Sequence, residues 1–275
     1  MMMTQPVRNG LAALIGLGLV IVLLRFGPAL VGRWMGGDEG AWAESGFTLA
    51  LFGPMLLIGW VGRRLSGVGG VGGSPWRSLG LGAATGFAGV LLATGYTALA
   101  GTLAWVRGAD VGPLLALGLI VIAVQVAAEE YVFRGWLQPV VITLVGRWVA
   151  VPLVAAIFAG LHLLAGSASG SVPLLNLFLG GMLFGVIAAG RLGLAGAFGA
   201  HFAWNAGEQL LLGLDPNPGI GAFGAIVDLD LRGAALWGGS DQGLNGSWAM
   251  SLSLLALVVG WLLASRTANA TSKAA

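Results

Sequence analysis

Leu79 to Val106 runs for 28 residues without one charged side chain. A soluble helix needs a polar face, and this stretch has none. About 18 such residues already mark a membrane-crossing helix, because roughly 20 residues at 1.5 Å rise each traverse the hydrocarbon. In lipid the backbone must satisfy its own hydrogen bonds, so the run is expected to be helical. The same character recurs along the chain. Hydrophobic residues make up 57% and charged residues 9% of it, where an ordinary globular chain is about a quarter charged. Fold class follows: an all-α, polytopic integral membrane helical bundle of about eight transmembrane helices, in a single transmembrane domain over 1–275.

The expected spans are Leu11–Trp34, Ser45–Val61, Leu79–Val106, a long run from Val111 to Val145, Val149–Ala165, Leu174–Ala189, Leu192–Leu212 and Trp248–Leu263. The Val111–Val145 run is too long for one perpendicular helix, and Gly135 or Pro139 is the expected break. Arg107–Asp110 reads as a turn, and Pro113 suits the first turn of the next helix. Gly181 and Gly185 are spaced for close helix contact. The segment Gly213–Gly246, with four aspartates, reads as a long polar loop. Tryptophans such as Trp60, Trp105, Trp148, Trp237, Trp248 and Trp261 read as interface anchors. The N-terminal run lacks a small-x-small cleavage site and reads as a retained first span.

Charge sets the orientation. Arg8, the arginines of 63–77, Arg147, Arg191, Arg266 and Lys273 fall on one side of an eight-span path. The acidic loop 36–44, Asp110 and the loop 213–246 fall on the other. The positive-inside rule makes the first side, and both termini, cytoplasmic. The net charge of +2 is small and its arginines are scattered, which argues against a nucleic-acid partner. With no cysteine, disulfides, thiolate catalysis and cysteine metal sites are excluded. Nothing in the sequence sets an oligomeric state.

Against this apolar background a few polar groups are costly and need partners. Gln125-Val-Ala-Ala-Glu129-Glu130-Tyr-Val-Phe-Arg134 puts two carboxylates and a guanidinium inside one span. The chain's two histidines also lie inside spans, in Phe158-Ala-Gly-Leu-His162 and His201-Phe-Ala-Trp-Asn205. Residues four apart share a helix face, so Glu130 lies with Arg134, Phe158 with His162, and His201 with Asn205. Three helices therefore present polar faces that are best satisfied by converging. Glu208 follows two turns after His201 and reads either as another pocket group or, the reading preferred here, as a residue close to the outer headgroups.

The matching chemistry is hydrolysis by an activated water. A glutamate beside a histidine can hold and deprotonate water, and a second histidine with an asparagine can donate to the resulting oxyanion. Alternatively Glu129, His162 and His201 can hold a Zn²⁺ ion that acidifies its bound water. Arg134 is expected to pair with Glu130, which leaves Glu129 freer to act as base. His162 bonded to a carbonyl and Glu130–Arg134 as a structural ion pair are the plainer readings. A serine protease lacks its buried serine here, no pair of intramembrane aspartates exists, and there is no His-Glu-x-x-His. The competing class is a non-catalytic membrane scaffold or an ion or proton pathway, which would need a polar route through spans that carry almost no polar residues. The hydrolase reading requires Glu129, His162 and His201 to reach one water or metal in a cavity open to cytoplasm or lipid.

Glu129-Glu130-x-x-x-Arg134, Phe158-x-x-x-His162 and His201-x-x-x-Asn205, in that order on successive spans, resemble the three motifs of the CPBP family. That family comprises the type II CAAX prenyl endopeptidases and the bacteriocin-processing or immunity proteins, also called Abi. The motif-bearing core is 111–212. The resemblance implies an intramembrane endopeptidase, metal-dependent or glutamate-dependent, acting on a membrane-associated protein or peptide. It implies Glu129 and His162 as the water-activating pair, His201 and Asn205 as oxyanion or organising groups, and Glu130, Arg134 and Phe158 as support. The small Gly/Ala-rich chain is most similar to prokaryotic members, in the cell membrane.

Overall fold

The computed structural model describes residues 4–36, 39–69, 74–106, 112–166, 168–217 and 222–274, with side chains to 265. Eight helices carry the fold: α1 (Gln5–Met35), α2 (Ala41–Ser66), α3 (Pro75–Leu99), α4 (Leu114–Val145), α5 (Arg147–Ala165), α6 (Ser171–Ala188), α7 (Gly193–Ala206) and α8 (Trp248–Ala274). Seven are long and apolar enough to cross a membrane. The eighth, α7, is carried on by a π-helical segment, Gly207–Leu211, and the two together rise roughly 25–28 Å. The protein is an all-α integral membrane bundle, as its composition demands. The turn expected at Arg107–Asp110 lies outside the described residues, as do the side chains of Arg266 and Lys273.

Burial follows the membrane logic. On α1 the apolar residues Leu14, Ile15 and Leu30 are 67%, 67% and 71% exposed, which in lipid is their favoured state. Inside, three apolar clusters form among the described residues, the smallest around Val121, Ile122 and Phe223, and the other two carry most of the helices. One joins α1, α2, α4 and α5 through Val20, Met55, Phe133 and Phe158. The other joins α3, α6, α7 and α8 through Val90, Leu183, Trp204 and Leu254. Small residues set the distance between α3 and α7: a Cβ at Gly82 or Gly86 would overlap the carbonyls of Gly196 and Ala200. That close approach fixes the depth of His201, the residue after Ala200.

Three expectations change. First, Leu79–Val106 is not one helix. It stops at Leu99, turns through Gly101 at φ +73°, and continues as strand β1 (Leu103–Trp105). Thr102 ties the turn by donating its hydroxyl to Thr97 O and Trp237 O. Second, the 213–246 segment is not merely a polar loop. It contributes β2 (Leu214–Asp215) and β3 (Leu229–Leu231), with β3 antiparallel to β1 and parallel to β2. Leu214, Phe223, Leu229, Leu231 and Leu244 are buried beneath it, so this segment caps one end of the bundle. Third, α4 does not break at Gly135 or Pro139. It widens into a π-helical segment, Tyr131–Leu137, and returns to α geometry at Gln138. The Gln138 N–H donates five residues back, to Phe133 O. Where a π turn reverts to α, one carbonyl loses its donor in any case, so a proline without an N–H is tolerated at 139.

Candidate active site

The π segment begins one residue after Glu130, and it is held between neighbours that approach unusually closely. A Cβ at Gly59 of α2 would lie 2.8 Å from the Val132 backbone nitrogen. On the other side, α6 presents Gly181 and Gly185. The Gly181 carbonyl accepts from Arg134 Nη2 at 3.3 Å, and the Gly185 carbonyl accepts from Gln138 Nε2 at 3.0 Å. The expected glycine contact is present, and it also supplies backbone acceptors to the charged helix.

Arg134 and Glu130 pair as expected, Nη1 to Oε1 at 2.9 Å, both side chains fully buried. The guanidinium also lies over three rings, 4.6 Å from the Phe158 centroid, 5.5 Å from Phe184 and 5.6 Å from Phe133. Phe158 thus supports the arginine face-on, and Phe184 closes the cage from the second apolar cluster. A weakly hydrated, planar cation suits such a cage in a way lysine would not.

His201 stands between the two glutamates. Its Nδ1 is 2.9 Å from Glu130 Oε1 and its Nε2 is 3.7 Å from Glu129 Oε2. A carboxylate accepts, so Nδ1 carries the proton donated to Glu130 and Nε2 is the nitrogen turned to Glu129. Phe184 stacks on the imidazole at 4.4 Å and 14°, which fixes the ring plane. Gln125 Nε2 donates to Glu129 Oε1 at 3.5 Å. His162 Nδ1 donates to Phe158 O at 2.9 Å, so the plainer reading of this histidine holds for that nitrogen.

Two chambers meet at Glu129 and His162, and both residues line each of them. The first has a volume of about 820 Å³ and is mostly apolar, walled by α1, α2, α4 and α5. The second is smaller, about 170 Å³, and also takes in His201, Asn205, Glu208 and Asn217. The first chamber includes Met35, Glu39, Gly40 and Gly166, so it extends to the end of the bundle opposite Arg63, Arg147 and Arg191, not to the arginine-rich end that the charge pattern reads as cytoplasmic. Asn205 borders the second chamber; among the described residues it makes no hydrogen bond to Glu129 or His201.

The expected zinc ligands converge only in part. Among the described residues, Glu129, His162 and His201 do not bring three ligand atoms within 4.8 Å of one another; the carboxylates that do are Asp215, Asp228 and Asp230 at the small sheet. Tetrahedral zinc with bonds near 2.0–2.2 Å needs its donors closer together. In this arrangement the set does not fit one ion, and no step below passes through a metal.

Of the two readings of Glu208, the structure shows the pocket group. It is buried, 4% exposed, lines the second chamber, and accepts from Trp204 Nε1 at 3.0 Å and Asn217 Nδ2 at 3.5 Å. The i, i+7 spacing from His201 was the signal that could have placed it, since two turns return to the same face. Phe184 gave no signal, being one aromatic residue in an apolar helix.

Comparison with known proteins meets the same residues. A family model, type II CAAX prenyl endopeptidase Rce1-like, matches residues 111–207. The resemblance to the CAAX protease family is thereby borne out. The matched segment runs from the start of α4 to the end of α7 and contains all three motifs, about a third of the chain. It implies a membrane protease and, with that, a membrane-associated substrate. No curated relative and no solved structure matches the chain.

Proposed function

We propose that the protein is an intramembrane endopeptidase that hydrolyses a peptide bond of a membrane-associated protein or peptide, with Glu129 as the base. The observation that carries this reading is the position of Glu129, on the wall shared by an apolar and a polar chamber. A membrane segment can lie in the first while water reaches the carboxylate from the second. His162, which lines both chambers beside Glu129, helps to hold the water. Glu129 takes one proton as the water oxygen attacks the carbonyl carbon, and later returns it to the departing amine.

His201 faces the oxyanion. Glu130 holds Nδ1–H in place, which aims the Nε2 edge of the ring at that oxygen. Asn205 adds an amide at the same chamber. In this reading the termini are cytoplasmic and substrates enter at the opposite end.

The test is cleavage of fluorogenic membrane peptides by purified protein in nanodiscs. Glu129→Gln and His162→Ala are each expected to lower kcat/KM by at least about 100-fold, the usual size of a lost acid–base group. Wild-type activity in Glu129→Gln would sink the mechanism.

A further inference from the structure

Glu208 is not explained by hydrolysis alone. Its carboxylate is buried, and among the described residues no lysine, arginine or histidine lies within ion-pair distance of it. An ionised carboxylate in such a place is expensive unless a cation or several donors meet it. Trp204 and Asn217 supply one donor to each oxygen, while a carboxylate offers about four acceptor positions. The chamber around it is also rich in unmet acceptors. Gln209 and Gln242 line it, and each has a buried side-chain oxygen without a hydrogen-bond partner among the described residues. An ammonium brings three donors and no acceptor, the complement of such a set.

The charge balance of the whole cavity points the same way. Glu39 and Glu44 line the first chamber, Glu129 both, and Glu208 the second; among the described residues neither chamber is lined by a lysine or arginine, His162 and His201 being the basic side chains there. Reach is also suitable. Glu208 is seven residues after His201, about 10 Å along the helix, which is about three residues of extended chain. A long side chain closes that distance from one or two residues beside the scissile bond. The volume near 170 Å³ would hold about six waters, enough for one such side chain and too little for a folded segment.

We propose that Glu208 is the floor of a subsite for a lysine side chain, positioned within two residues of the scissile bond. The apolar chamber then holds the hydrophobic segment on the other side of that bond, so the substrate class is an apolar membrane peptide carrying a basic residue next to its cleavage point. The position relative to the bond rests on the hydrolase reading; the lysine site itself does not.

The experiment measures binding, so that cleavage is not required. Glu129→Gln protein in nanodiscs is titrated with synthetic apolar peptides in which one lysine is stepped through successive positions, each paired with a norleucine analogue. At one or two adjacent positions, lysine is expected to bind about tenfold tighter or more, the scale of a charge-assisted hydrogen-bond set. Glu129→Gln/Glu208→Gln is expected to bind both members of that pair alike, and Glu129→Gln/Glu208→Asp to keep part of the preference. Equal binding of every pair by the Glu129→Gln protein overturns the subsite without any change at Glu208, and so does a preference that survives Glu208→Gln. If lysine is preferred but active protein cleaves no peptide, the protease reading fails and the subsite stands. Cleavage without any lysine preference gives the reverse.

Discussion

Replacing Arg134 by methionine tests the centre of the site more directly than any catalytic substitution. The side chain is fully buried, 2.9 Å from Glu130, and shares Glu130 Oε1 with His201. Among the described residues Glu130 Oε2 has no hydrogen-bond partner, so loss of the guanidinium leaves a buried carboxylate with His201 as its one hydrogen-bond partner there. Breaking a buried pair in this one-sided way costs about 3–5 kcal/mol. At roughly 2–4 °C per kcal/mol for a chain of this size, the melting temperature falls by about 6–20 °C. Methionine is chosen because it keeps much of the apolar volume inside the cage of Phe133, Phe158 and Phe184. The assay is thermal unfolding in nanodiscs followed by tryptophan fluorescence. Glu130→Gln/Arg134→Met removes the stranded charge along with its partner and is expected to recover more than half of the loss. A single variant within 2 °C of wild type would refute the ion-pair argument. A double variant as unstable as the single would show that the rings, not the charge, are what Arg134 supports.

Three further outcomes follow from the geometry. Gly86→Val drives a side chain into the Ala200 carbonyl; it should cost about 1–3 kcal/mol or more and move His201 from Glu129, read as lost folding yield, whereas Gly95→Ala, which meets nothing within 4 Å, should be silent. The Asp215 carboxyl is held above its usual range, by burial first and then by Asp230 and Asp228. Its neutral form is therefore the better folded one: the stabilisation is full below about pH 4, the ordinary carboxylate range, and is lost as pH rises through the raised value. Asp215→Asn should raise the melting temperature by about 1–2 °C at pH 7, a figure discounted for partial exposure, with the gain vanishing near pH 4; an equal gain at both pH values would refute the electrostatic cause. Dialysis against a chelator should leave proteolysis unchanged, given that the donor set does not close on one ion, and activity lost to chelator and restored by zinc would show that Glu129, His162 and His201 rearrange to bind it.

Much of this protein is written along the chain. Uncharged runs of membrane-crossing length force helices, because lipid offers the backbone no other partner. Six polar groups in such helices must find one another, and the i, i+4 spacing of Glu130–Arg134 and His201–Asn205 says which face they use. These are local rules, so the bundle, the ion pair and the identity of the candidate site were all legible. What tertiary structure decided depends on neighbours far away in sequence. β1 exists because residues 229–231 pair with it; Phe184 matters because α6 packs where it stacks on His201; the π segment is held by Gly59 and Gly181 on two other helices. The sequence left Glu208 between a pocket and the outer headgroups, since its burial depends on the segment after α7 folding back beside it. The two chambers that meet at Glu129 are a property of that packing alone: a cavity is the space left between helices, and no residue along the chain records it.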